Sequence, residues 1–164
     1  MPLRKNVRPV DAERRAEPNA VRAAAVTLLA RRDFAHRELH EKLTSRGFDA
    51  NAVTAVLAEL AGERLLDDER YAQNYVSFHA RRKQGPVRIA ADLRAHGLGP
   101  ELIEAALASG PDWHALARSI RLARFGTKPP GSWAEKARQA RFLQYRGFSS
   151  DHIRAATGAD PDLD

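Results

Sequence analysis

The residues best suited to do chemistry in this chain are arginines, and the chemistry is binding rather than bond-breaking. From Trp113 to Ser149 there are eight cations, Arg118, Arg121, Arg124, Lys128, Lys136, Arg138, Arg141 and Arg146, against the single acid Glu135. That is a net +7 over 37 residues, more than solubility requires. Guanidinium groups are planar forks that grip phosphate or carboxylate oxygens in pairs. Arg118, Arg121 and Arg124 recur every three residues, so on a helix they lie near one another, and Arg138 and Arg141 repeat the spacing. Trp133 and Tyr145 are nearby aromatics. A second cluster is Arg81, Arg82, Lys83, Arg88 and Arg94, with Asp92 the only acid between Arg81 and Arg94. Arg31 and Arg32 stand fifty residues before Arg81 and Arg82. The cations at 81–83 also suit the negative C-terminal end of a helix dipole. These fifteen cations are the candidate partner-binding set.

Catalytic and metal readings are weaker. In "HRELH", His36 and His40 fall one turn apart, but the Glu that a zincin places directly after its first His is here Glu38, two places on. No third ligand is evident, so both read as surface histidines. Asp67, Asp68 and Glu69 read as carboxylates in the first turn of a helix, where the dipole favours them. Tyr71, Tyr75 and Phe78, at i, i+4 and i+7, read as a buried stripe. The "GTK" at Gly126 lacks the upstream glycine and strand of a phosphate loop. No nucleophile–base pair stands out, so a non-enzyme without metal or cofactor is expected.

Composition agrees. With 43% hydrophobic and 7% aromatic residues, Leu/Ala helix packing is favoured over a sheet sandwich. The absence of cysteine removes disulfides and cysteine metal sites and fits a reducing compartment. No apolar run approaches membrane-spanning length. The start, "MPLRKNVRPVDAERRAEP", lacks the apolar middle of a signal peptide and reads as a basic flexible arm. The expectation is a cytoplasmic protein whose net charge of +6 suits a polyanion or an acidic protein surface.

The elements that must position these cations are announced by a punctuation written three times. "KLTSRGFD", "DLRAHGLG" and "FLQYRGFS" place Gly47, Gly97 and Gly147 fifty residues apart. With each glycine as the left-handed residue after a helix, Leu43 and Phe48, Leu93 and Leu98, and Leu143 and Phe148 occupy the two contact positions of a Schellman stop. Asp49, Gly99 and Ser149 then suit N-caps, and Pro100 a first helical position. Phe48 with Val53, Leu98 with Ile103, and Phe148 with Ile153 make hydrophobic staples. Each copy is a helix–tight turn–helix corner.

A further helix precedes each corner, within 19–33, 68–84 and 112–125. Leu66 staples onto Tyr71, and Gly85-Pro86 stops one helix and starts the next. Arg31 and Arg81 lie 16 residues before their glycines and Arg124 lies 23 before its own, an excess of seven located in "GTKPPGS". The fold expected is all-α: three tandem three-helix repeats, about nine helices, forming an elongated curved solenoid-like array. The divisions are an arm at 1–18, repeats at 19–66, 67–110 and 111–158, and an acidic tail at 159–164. Arrays of this kind bind something long or broad.

The helix–RGF–helix repeats, the junction "LLDDERYAQNYV" (Leu65 to Val76) and "KQGPVRIAADLRAHGL" (Lys83 to Leu98) resemble the RecX regulatory proteins of bacteria, over roughly residues 19–158. The resemblance implies an all-helical protein of three three-helix repeats. It also implies a protein that lies along the groove of a RecA recombinase filament and suppresses its ATPase and strand exchange, a role for which a monomer suffices. No catalytic residues come with it. A different class of function is a direct DNA binder using helix–turn–helix corners. The second helices, "ANAVTAVLAEL", "PELIEAALA" and "SDHIRAATG", are poor in cations, so any contact with single- or double-stranded DNA is expected to be weak, sequence-independent and strongly salt-sensitive.

Overall fold

The computed structural model describes residues 10–158; part of the expected arm and the acidic tail at 159–164 lie outside them. Among the described residues there are nine α-helices and no strand. They are α1 (Pro18–Leu29), α2 (His36–Ser45), α3 (Ala50–Gly62), α4 (Asp68–Arg81), α5 (Pro86–Ala95), α6 (Pro100–Ala108), α7 (Trp113–Phe125), α8 (Trp133–Tyr145) and α9 (Ser150–Thr157). The all-α reading and its three three-helix repeats hold. The chain divides into two compact units, Met1–Tyr71 and Ala72–Asp164, so the first turn of α4 sides with α1–α3.

The corners form as their residue types dictate. Gly47, Gly97 and Gly147 have φ of +103°, +89° and +94°. The amides of Phe48, Leu98 and Phe148 donate back to the carbonyls of Leu43, Leu93 and Leu143 at 3.3, 3.1 and 3.1 Å. Those of Gly47, Gly97 and Gly147 reach Thr44, Arg94 and Gln144 at 3.0, 3.0 and 2.9 Å. Both bonds of the Schellman motif are therefore present at all three stops. The Asp49 carboxylate accepts from Ala52 N–H, and Ser149 and His152 close a capping box across the start of α9. The three leucines and the stapled Val53, Ile103 and Ile153 are all buried.

In the first unit α1, α2 and α3 pack on one another around Val21, Leu39, Leu43, Val53, Leu57 and Leu60. The segment expected as a free arm is partly docked. A 3-10 turn spans Ala12–Arg14, Val10 N–H donates to the Arg46 carbonyl at 3.3 Å, and Asp49 N–H donates to the Arg15 carbonyl at 2.7 Å. The reason is local: the Gly47 corner leaves backbone groups that need partners, and residues 10–15 supply them.

The junction "DDERY" ties α4 to that unit. Asp67 caps its own helix through Arg70 N–H (3.0 Å), while the Asp68 carboxylate accepts the first N–H of α2, that of His36, at 2.7 Å. The Arg70 guanidinium donates to the carbonyls of Arg64 and Leu65 beyond α3 and meets Asp33 at 3.3 Å. Leu66 and Tyr71 are buried, as the staple predicts. Burial, aided by Glu38, pushes the Tyr71 phenol up to about 12. Phe78 departs from the expected stripe: it is 48% exposed, while Tyr75 is half-buried and donates to Asp92 at 3.0 Å. Seven residues return the helix to within about 20° of Tyr71, so helix phase does not lift Phe78 off the core; its ring instead lies 4.9 Å from the Arg82 guanidinium and 5.1 Å from the His79 ring.

In the second unit α5 packs on α6, and α7, α8 and α9 surround Ile120, Leu143, Phe148 and Ile153. The second and third repeats meet backbone to backbone. Gly85 N–H donates to the Arg146 carbonyl at 2.8 Å and Val87 N–H to the Gly147 carbonyl at 2.9 Å. A methyl on Gly85 would overlap the Gly147 carbonyl, and one on Gly147 would overlap Arg88. The left-handed residue that stops α4 is Lys83, with φ +65°, two residues before Gly85, which instead caps the start of α5.

These contacts separate the glycines by role. Gly85→Ala is expected to destabilise by roughly 2 kcal/mol or more, since backbone must move. Gly62→Ala, at the end of α3 with open space around it, is expected to stabilise by up to about 1 kcal/mol through helix propensity. Urea unfolding midpoints of the two variants check the ordering.

Candidate partner-binding surface

Charge alone does not make a site; what matters is which cations remain available once the chain has folded. Among the described residues the ion pairs engage Arg22, Arg32, Arg37, Arg70 and Arg154. Arg32 belongs to the candidate set, yet its guanidinium sits 2.6 Å from Glu38 and 3.7 Å above the Phe34 ring. The Glu38 hydrogen bond raises its pKa above the usual arginine value. Its charge is largely answered within the fold, whereas Arg31 beside it is exposed.

The third repeat treats its arginines differently. The rings of Phe125 (end of α7) and Phe142 (in α8) meet edge to face at 5.4 Å. Around this pair stand three guanidiniums: Arg124 at 5.6 Å from Phe125 and 5.9 Å from Phe142, Arg138 at 5.5 Å from Phe125, and Arg146 at 5.6 Å from Phe142. The rings hold these groups by the attraction of a cation to a π face, without cancelling their charge. No described acid forms an ion pair with Arg124, Arg138, Arg141 or Arg146.

Glu135, the one acid in this stretch, is committed elsewhere. Its Oε2 accepts the Gly131 N–H at 2.7 Å, and its own N–H donates to the Ser132 hydroxyl that caps α8. It pins the seven-residue loop and leaves the arginines unneutralised. Arg141 and Lys128 are exposed, and Lys136 is half-buried beside Gly158.

Arg121 overturns part of the expected face. It is 7% exposed, and its Nε donates to Gln139 Oε1 at 2.9 Å while Nη2 donates to the Lys128 carbonyl at 2.7 Å. It is a buried clamp joining α7, α8 and the loop, so it is withdrawn from the binding set. A step of three residues moves about 60° around a helix, so Arg118 and Arg124 end about 120° apart, on either side of the core-facing Arg121. Arg118 is exposed and lies near Asp112, whose carboxylate is held below its usual range first by the Ala115 N–H and further by Arg118. Trp133 and Tyr145 likewise part company. Both are exposed, yet twelve residues put them about 120° and ~18 Å apart along α8, and Tyr145 is the one on the arginine side.

In the second repeat Arg81 folds back onto Ser77, Arg82 lies 4.9 Å from the Phe78 ring, and Lys83, Arg88 and Arg94 are exposed. His40 does not point to a metal: its Nε2 lies 3.1 Å from the Thr54 hydroxyl. No group of three or more metal-ligating side chains occurs among the described residues, and no described helix is long and apolar enough to cross a membrane. The second helix of each corner buries its apolar side, Val53, Val56, Leu57 and Leu60 in α3, Ile103 and Ala106 in α6, Ile153 in α9. These are packing helices on that side.

Comparison with known proteins places this geometry in a family. Residues 22–60, 67–107 and 112–157 match the models described as the first, second and third three-helix domains of RecX. The regulatory protein RecX of Halorhodospira halophila is 48% identical over 145 residues, 88% of this chain and 90% of that protein. That of Stenotrophomonas maltophilia is 39% identical over 155 residues, 94% and 95% of the two chains. The crystal structure of RecX from Lactobacillus salivarius superposes with a TM-score of 0.75 at 21% identity, covering 90% of this chain and 97% of that one, a likeness of fold.

The clamp and the cation–ring cluster differ in what they cost to remove. Arg121→Ala is expected to lower stability by about 2–3 kcal/mol, because Gln139 and the Lys128 carbonyl are deprived of a charged donor in a buried place. Arg141→Ala, at an exposed position without an ion pair, is expected to stay within about 0.5 kcal/mol of wild type. Chemical denaturation followed by helix circular dichroism measures both.

Proposed function

The chain belongs to the RecX family of regulatory proteins, and we propose that it acts by binding a RecA recombinase filament along its groove, suppressing the filament's ATPase and strand exchange. The family supports the choice of partner, and the charge supports the choice of contact. The single observation that supports it most is the set of third-repeat cations held on aromatic rings and left without acidic partners. A surface of that kind has its electrostatic complement outside the molecule, in acidic protein or in phosphate.

In this reading the three repeats, 19–66, 67–110 and 111–158, are successive docking units, and one monomer suffices. Arg124, Arg138, Arg141, Arg146, Lys128 and Lys136 form one contact, with Arg118 at its edge. Arg81, Arg82, Lys83, Arg88, Arg94 and Arg31 form others. A body engaged with more than one filament subunit opposes the subunit rearrangements that ATP turnover and strand exchange require. The action is by binding, without catalysis, inside the cell. Direct DNA binding through the corners has less support, because the packing helices present few cations.

The test is RecA's DNA-dependent ATPase and strand exchange with and without the protein. Wild type is expected to suppress both, and a variant carrying Arg124→Ala, Arg138→Ala and Arg146→Ala to need roughly tenfold more protein for half suppression. Unchanged ATPase and strand exchange with excess folded wild-type protein would remove the proposal.

A further inference from the structure

The α8 face that carries Arg138 and Arg141 also carries Tyr145, which at 84% exposure is the least covered of the exposed large hydrophobic side chains among the described residues. Tyr145 enters no ring contact and no hydrogen bond with the described residues. Helix geometry sets it about 20° from Arg138 and about 40° from Arg141, two turns and one turn further along α8. Arg138 and Arg146 are steadied by the Phe125–Phe142 pair. A flat, largely exposed ring thus stands among guanidiniums that no described acid pairs with.

We propose that Tyr145 is a stacking platform for an unpaired nucleobase, with Arg138 and Arg141 holding phosphates of the same strand, so that the third repeat grips single-stranded nucleic acid directly. Alternation of ring and cation matches a strand whose bases and phosphates alternate. Stacking of this kind is indifferent to base identity, because every base has a π face. A duplex keeps its bases stacked inside and offers the ring nothing, while its phosphates still meet the arginines. A protein partner fits less well: interface aromatics sit in a desolvated centre, and this ring is surrounded by charge. The assignment deepens the surface proposed above by naming the strand it takes, and it is tested without any recombinase.

The experiment is fluorescence anisotropy of the full chain with three labelled strands: a short oligothymidylate, an abasic strand of equal length, and a duplex of equal length. Wild type is expected to prefer oligothymidylate. Tyr145→Ala should weaken that complex about tenfold and leave the other two unchanged, and Tyr145→Phe should restore it. Trp133→Ala, on another face of α8, should bind all three like wild type. Arg138→Ala with Arg141→Ala should weaken all three and flatten the salt dependence by about one for each phosphate no longer held. The assignment is overturned if Tyr145→Ala binds oligothymidylate like wild type, if it weakens the abasic strand equally, or if wild type binds none of the three. Circular dichroism melting of each variant confirms that an affinity change is not unfolding. Retained suppression of RecA alongside absent strand binding would sink the stacking site alone.

Discussion

A helix that ends must find partners for its last carbonyls, and among the described residues at least five helices end on the same left-handed turn. At Gly47, Gly97 and Gly147 glycine holds that conformation without strain; at Arg64 and Lys83 a side-chained residue holds it, at a cost of about 1 kcal/mol each. Leu65 N–H donates to the Leu60 carbonyl and Gln84 N–H to the His79 carbonyl, so the bonding is the same. What glycine adds at Gly147 is proximity. Arg88 and Gly85 lie against its backbone, and two hydrogen bonds cross there. The turn that stops α8 is thus also the surface on which α5 begins.

That dual use explains what was readable in advance. A Schellman stop and a hydrophobic staple are completed within about ten residues, so Leu43, Gly47, Phe48 and Val53 declare their geometry by type and spacing alone. Contacts between distant segments leave no such mark. Gly85 reads as punctuation, and its role against Gly147, more than sixty residues on, is visible only when the two backbones meet. Asp68 capping α2 and Arg70 joining Asp33 to the end of α3 are of the same kind. The family resemblance rests partly on the "DDERY" run; the structure gives that run a mechanical meaning.

The cationic surface was legible as composition and only partly as geometry. Net charge located it in the third repeat, but charge carries no information about helix phase. Arg121 stands four residues after the buried Ala117 and next to the buried Ile120, which puts it on the core side of α7. Counting apolar positions around the helix would have found it. Phase would likewise have separated Trp133 from Tyr145. The rings beneath Arg124, Arg138 and Arg146 were beyond reach, since Phe125 and Phe142 belong to different helices and meet only through the tertiary fold.

The deeper reason for a free basic surface lies in how the acids are used. Asp49, Asp67 and Asp112 accept backbone N–H groups at the starts of their own helices, Asp68 does so for a neighbouring helix, and Glu135 holds a loop. Helix N-termini need acceptors and favour negative charge, so an all-α chain with short helices draws its carboxylates to those ends. A carboxylate fixed at a cap is poorly placed to pair with a cation in mid-helix. Arginines on the outer face of α8 therefore remain uncompensated as a consequence of folding itself, and the Phe125–Phe142 pair orders them without neutralising them. A free basic surface then requires no separate device: the stability of short helices and the availability of their arginines arise from the same distribution of charge.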